Sequence, residues 1–215
     1  MKIWHLLILI TIGLLAGGCW DSASNTGYLS DYSKLQEVSG FESVEGSTFR
    51  YKDSSKAKYK GFILDPVIVQ LQENSKAAAA KSKGKLKGQD VNDLVDYFYS
   101  AIIDAINESG YKIVYQAGAG IARVRVAITD LRKTNIVFAA VPTARITTGI
   151  GTGGAAIESE MVDSVSGKQI TACVESKPGS RIPFTGLSDW GGAKYAMDEW
   201  VSRFKKQLKE MKNNS

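Results

Sequence analysis

The sequence predicts an α+β domain: a mainly antiparallel sheet of about five strands with two amphipathic helices on one face, in the order β-α-β-β-β-β-α. Three observations carry this. Leu94, Val95, Phe98, Ile102, Ala105 and Ile106 recur at helical spacing, and so do Ala193, Met197, Trp200, Phe204, Leu208 and Met211 near the end of the chain. Between these runs, Ala122, Val124, Val126 and Ile128 alternate with Arg123, Arg125 and Thr129, the pattern of a strand with one buried face. Finally, Ile157 to Asp163 and Gln169 to Glu175 flank Ser164-Val-Ser-Gly167, a loop with hairpin turn chemistry.

Each element follows in order. Tyr59 to Val69 reads as the first strand, with Pro66 placing a break or an edge in it because proline cannot donate to a ladder. Lysines 76, 81, 83, 85 and 87 sit in what reads as a solvated loop or as a patch for anionic headgroups. Asp90 suits a helix N-cap, Asp93 adds negative charge to the first turn, and Gly110 supplies the stop. Tyr111 to Tyr115 is a short strand, and Gln116 to Gly120 a turn. In the hairpin, Ile157, Met161, Ile170, Ala172 and Val174 are expected to face inward. The last helix runs from about Trp190 to Met211, and Lys205, Lys206, Lys209 and Lys212 near its end complement the helix dipole.

The amino terminus indicates where the chain resides. Lys2 is followed by an apolar run from Ile3 to Leu15, too short to span a bilayer comfortably, and then by Ala16-Gly17-Gly18-Cys19. Small residues directly before a cysteine form the lipobox of bacterial lipoproteins, in which the cysteine is lipidated and the leader removed. Residues 1–18 are then a signal peptide, 19–57 a lipidated tether and N-terminal extension, and 58–215 one α+β domain. Each buried acyl methylene contributes about 0.8 kcal/mol, so several chains on Cys19 hold a protein firmly to a membrane. Within residues 19–57, Tyr28 to Leu35 is expected to pack on the domain as a short ordered segment.

Cleavage also removes His5, the only histidine. A mature chain without histidine has lost the usual general base and the commonest transition-metal ligand. With Cys19 acylated, Cys173 is left as the one thiol, which excludes an intrachain disulfide and makes a zinc site improbable. No cofactor or metal is therefore expected, and no catalytic residue. The formal charge of +5 is mildly basic, but no aromatic residues interleave with the lysines, so nucleic acid is not an expected partner.

Three stretches invite chemistry. Gly149-Ile-Gly151-Thr-Gly-Gly154 matches a dinucleotide fingerprint, but a strand rather than a helix is predicted to follow it. Glu158 and Glu160 share one side of a strand at roughly 6.6 Å, near the lower limit for an inverting glycosidase pair, but outward positions on a half-exposed strand are the preferred account. Asn135 to Gly154 is apolar with Arg145 as its one charge. It either packs under the domain or offers Phe138, Val141, Ile146 and Ile150 to a partner or a membrane. On the sheet face away from the helices, Arg123 and Arg125 are candidate contacts for a small envelope ligand such as a lipid or glycan.

Four stretches in order, Gly27-Tyr-Leu-Ser-Asp-Tyr-Ser-Lys-Leu35, Tyr59-Lys-Gly-Phe-Ile-Leu-Asp-Pro66, Val162-Asp-Ser-Val-Ser-Gly167 and Asp189-Trp-Gly-Gly-Ala-Lys194, resemble an uncharacterised family of Gram-negative lipoproteins, domain of unknown function 3313. The resemblance implies a small periplasm-facing α+β domain tethered by lipid, and carries no catalytic residues with it. The lysine- and alanine-rich stretch 76–88 departs from the family pattern. The expected role is a non-enzymatic scaffold or assembly protein that binds other envelope proteins, or copies of itself, with the ligand-binding module as the alternative. The outer membrane is the favoured location, the inner membrane the other, given Trp20 directly after the lipidated cysteine.

Overall fold

The computed structural model describes residues 25–38, 48–53, 58–73, 75–139, 142–182 and 185–213. The leader, Cys19 and Val141 lie outside the described residues. The strands are β1 (Gln36–Glu37), β2 (Thr48–Lys52), β3 (Gly61–Leu64), β4 (Ile68–Val69), β5 (Lys112–Ile113), β6 (Ile121–Arg132), β7 (Gly154–Asp163) and β8 (Gln169–Pro178). The helices are α1 (Lys76–Ser82), α2 (Gly88–Glu108), α3 (Ile136–Ala139), α4 (Pro142–Thr148) and α5 (Gly191–Asn213). The architecture is α+β as expected, but the sheet has eight strands among the described residues rather than about five.

Two additions account for most of the difference. β1 and β2 precede residue 58; β2 adds to β8 and β1 to β2, both antiparallel, so the sheet begins inside the N-terminal extension. The expected first strand is cut at Asp65-Pro-Val67 into β3 and β4, both pairing parallel with β6, where Pro66 cannot serve as a ladder donor. The sheet order is β1-β2-β8-β7-β6-β3-β5, with β4 also on β6; the long β6, β7 and β8 are antiparallel to their neighbours within this trio.

The two long helices bury the stripes their spacing predicted. Leu94, Phe98, Ile102, Ala105 and Ile106 of α2, with Ala193, Met197, Trp200 and Leu208 of α5, are buried and, Ala105 apart, join one core with Val124, Val126, Ile128 and Ile157 of the sheet. Each large apolar side chain removed from water contributes roughly 1.5–3 kcal/mol. Gly110 (φ +75°) closes α2 as expected. Its start differs: α2 begins at Gly88 with Lys87 at the N-cap and no side-chain cap, which leaves Asp90 in the first turn, where it favours the helix dipole instead.

The stretch read as a solvated lysine loop is partly helical. Ser75 caps α1 by accepting the Ala78 amide at 3.0 Å, and four consecutive alanines make a strong helix former. Ala77 and Leu86 pin the stretch to the main core. Two inward assignments also change. The register shifts between Met161 and Val162 opposite β8, so Ile170 faces the main core while Ala172 and Val174 face the other way. There they form a small second core with Leu29.

Candidate functional site

The sheet face away from the helices carries the densest polar arrangement in the described chain. Glu158 and Glu160 point to it from β7, and both are buried, at 0% and 2% exposure, rather than half-exposed. The cover is the chain's own N-terminal segment: Tyr28 to Leu35 packs on the domain as expected, and the contact extends back to Thr26. Glu158 Oε1 accepts the Thr26 amide at 2.6 Å, and its Oε2 accepts the Tyr32 hydroxyl. Glu160 Oε2 accepts the Ser30 amide at 3.0 Å, the Ser30 hydroxyl at 2.7 Å and Gln169 Nε2 at 2.9 Å. Its Oε1 pairs with Arg125, whose guanidinium also lies 4.9 Å from the centre of the Tyr28 ring.

All four carboxylate oxygens are therefore engaged, as buried charge requires. Burial, reinforced by the bond to Glu158, pushes the Tyr32 hydroxyl up to about 12, and burial raises Tyr28 against the opposing pull of Arg125. Glu160 is among the residues that line a groove toward α5, but its two oxygens are taken up by Ser30, Arg125 and Gln169. Of the candidate ligand contacts, Arg125 is committed to Glu160 under the strap, and Arg123 pairs with Asp65 beside it. The face expected to receive a ligand holds residues 26–32 of the chain itself. The alternation in β6 and β7 placed these charged residues on one face, but carried no signal that another segment covers them.

The second candidate lies at the end of the sheet where β6 stops and β7 starts. There Phe138 of α3, Ile146 of α4 and Ile150 in the following loop are about half exposed, at 51%, 54% and 51%; Ile136, Val137, Ile182 and Leu187 are exposed as well. These side chains are presented outward rather than packed under the domain. The scaffold beneath them is polar and buried. Arg145 reaches inward from α4, with 1% exposure, and donates to the Ser180 carbonyl at 3.0 and 2.6 Å and the Thr185 carbonyl at 2.6 Å. Burial draws the Arg145 guanidinium below its usual range.

The glycine run at 149–154 is part of that scaffold. Gly149, Gly151 and Gly153 have φ of +65°, +80° and +69°, a loop that needs the left-handed region, and β7 follows it where a dinucleotide site would need a helix. Thr134 ties the loop to α5, accepting the Gly192 amide at 3.0 Å. The Asp163 turn between β7 and β8 is likewise structural: its carboxylate accepts the Ser166 amide and hydroxyl, both at 2.8 Å, and these bonds hold Asp163 below the usual carboxylate range.

On the helix side, an open groove of about 910 Å³ runs between α5 and β2–β8. Glu175 sits in it between Arg203 at 2.5 Å and Arg50 at 3.5 Å. Cys173, 3.6 Å from Glu175, keeps some exposed surface as a residue, but burial and that carboxylate push its thiol up to about 12, which keeps it protonated and unreactive. Among the described residues no group of three or more His, Cys, Asp and Glu could hold a metal ion, and no helix is long and apolar enough to cross a membrane.

Comparison with known proteins adds the following. No curated protein matches the chain. Among solved structures, the PelC dodecamer from Paraburkholderia phytofirmans is similar at 10% identity and a TM-score of 0.36, over 76% of this chain and 95% of that one. A point variant of the same dodecamer gives 12% identity and a TM-score of 0.35 over the same shares. A family model described as "Protein of unknown function (DUF3313)" matches residues 24–204, and the chain belongs to that family.

Proposed function

We propose that this chain is a lipid-anchored, periplasm-facing envelope protein that works without catalysis, as a scaffold or assembly factor whose apolar end binds other envelope proteins or further copies of itself. The observation that carries the reading is the outward cluster of Phe138, Ile146 and Ile150, held on buried Arg145 and a glycine-shaped loop. Exposed apolar side chains gathered on a rigid, polar-braced support are what an interface core requires. The lipobox at Cys19 supports the anchor, and the absence of histidine from the processed chain supports a role in binding.

Ile146→Asp combined with Ile150→Asp tests the interface. Both side chains are half exposed, so the thermal midpoint is expected to stay within about 2 °C of wild type. Crosslinked complexes extracted from membranes should be lost. Retention of the complexes, or unfolding of the variant, would refute the interface. A second test concerns the anchor: Cys19→Ser should abolish incorporation of radiolabelled palmitate, and continued labelling would refute lipidation.

The groove beside α5 favours one second reading, a binding module for a small lipid or glycan. Native mass spectrometry of the purified chain would then find a bound small molecule, released by Arg203→Ala. A consistently ligand-free protein would dismiss it.

A further inference from the structure

The geometry points to the surface formed by α1 and the turn after it as a docking face for anionic phospholipid headgroups, which holds the domain against the membrane that carries its anchor. This inference rests on the lipid-anchor reading above and names a surface that the scaffold proposal does not use.

Three observations converge on it. Lys76, Lys81, Lys83, Lys85 and Lys87 are all exposed within a stretch of twelve residues, and among the described residues the ammonium groups of the last four make no ion pair or hydrogen bond. Glu73, Asp90 and Asp93 border the patch and leave it net positive. The patch is also held in shape. Ala77 and Leu86 are buried in the main core at its two ends, the Ala77 amide donates to buried Asp130 at 3.0 Å, and the Lys85 amide closes onto the Ala80 carbonyl at 2.8 Å. Lysines on a pinned support present their charge together, whereas a solvated loop would disperse it.

The third observation is where the tether leaves the domain. Thr26 is fixed between Glu158 and Gln70, whose Nε2 donates to the Thr26 carbonyl at 2.8 Å. Gln70 precedes Lys76 by six residues. Running backwards from Ser30 to Thr26, the chain passes from Glu160 to Glu158. It therefore heads toward the end of the sheet where β7 starts at Gly154 and where α1 meets Asp130 on β6. Six residues lie between Cys19 and Thr26, a reach of at most about 25 Å. A tether this short lets the basic surface be drawn against an anionic leaflet, whose negative potential decays over about 8–10 Å. The apolar end shares this end of the sheet and would be presented near the bilayer surface, where a membrane-embedded partner could meet it.

The test uses the full lipidated chain in vesicles of phosphatidylcholine alone and of phosphatidylcholine with phosphatidylglycerol. Flotation first reports insertion of the anchor. Lysine acetylation, read residue by residue by mass spectrometry, then reports the surface. Lys81, Lys83, Lys85 and Lys87 should react several-fold more slowly on the anionic vesicles, and high salt should abolish the difference. Lys206 and Lys209, exposed near the far end of α5, should react alike on both. Replacing Lys81, Lys83, Lys85 and Lys87 by glutamate, all at exposed positions, should leave flotation intact and remove the lipid dependence at Lys76. Flotation with equal reactivity on both vesicles would overturn the docking face alone. Failure to float on either would overturn the anchor, and the docking face with it.

Discussion

Glu160→Ala is expected to cost about 3–5 kcal/mol and to lower the thermal midpoint by about 10 °C, among the largest losses available from a single side chain outside the apolar core. The carboxylate is almost fully buried and serves four groups at once, the Arg125 guanidinium, the Ser30 amide and hydroxyl and the Gln169 amide, and through Ser30 it sets the path of the strap. Removing it strands a guanidinium stacked on Tyr28 and two donors with nothing to bond. The strap should then lift from Leu29 onward. Hydrogen exchange at the Ser30 amide would quicken toward the unprotected rate, and trypsin would cut after Lys34. Glu210→Ala, at an exposed position on α5, serves as the control and should stay within about 0.5 kcal/mol. A Glu160→Ala midpoint within about 2 °C of wild type would mean that the strap is an ornament of the fold rather than part of it.

That arrangement marks the boundary of what the sequence made legible. Period 3.6 in α2 and α5 and period 2 in β6 and β7 come directly from burying one face, so those elements and their inward residues could be read residue by residue. The same alternation put Glu158, Glu160, Arg123 and Arg125 on the opposite face. It could not say that residues 26–32 return to cover that face, because a covering contact between residues more than a hundred positions apart leaves no local period. β1 spans two residues and β2 five; β2 draws its stability from β8 and β1 from β2, rather than from their own composition. In β8 the bulge opposite Met161 reversed the expected facing of Ala172 and Val174, a one-residue effect that alternation cannot register.

α1 is a different case, since its signals were present. A serine followed by Lys-Ala-Ala-Ala-Ala-Lys has both a cap and strong propensity, but the density of lysines favoured a loop. At the apolar end, the lack of charge in 135–154 identified an unusual segment and left its side chains either buried or presented. Arg145 resolved the matter in an unexpected direction: the one charged residue turned inward onto carbonyl groups, while Phe138, Ile146 and Ile150 turned out. Val141 lies outside the described residues.

Gly192→Ala is expected to destabilise the protein by about 3 kcal/mol or more, and to do so by prising α5 from the apolar end. A Cβ at position 192 would lie 1.8 Å from the Thr152 carbonyl oxygen and 2.9 Å from its carbon, both backbone atoms that cannot swing aside. Gly179 is caught in the same place, its Cβ falling 2.1 Å from that oxygen and 2.5 Å from the Gly192 Cα. Neither glycine is there for an unusual dihedral angle; both are there because three backbone segments meet without room for a methyl group. This separates them from Gly167, whose φ of +71° points into open space and whose replacement by alanine should cost only about 1–2 kcal/mol. Urea midpoints of the two variants should therefore differ clearly, with Gly192→Ala the weaker. Equal midpoints would mean that the backbone relaxes around position 192 and that the close packing is not what sets the apolar end. If the larger loss is found, the Gly192 variant should also lose the complexes that Ile146→Asp with Ile150→Asp loses, but with a fall in stability that the aspartate pair does not produce. The same readout thus distinguishes an interface that has been spoiled at its surface from one whose support has been removed.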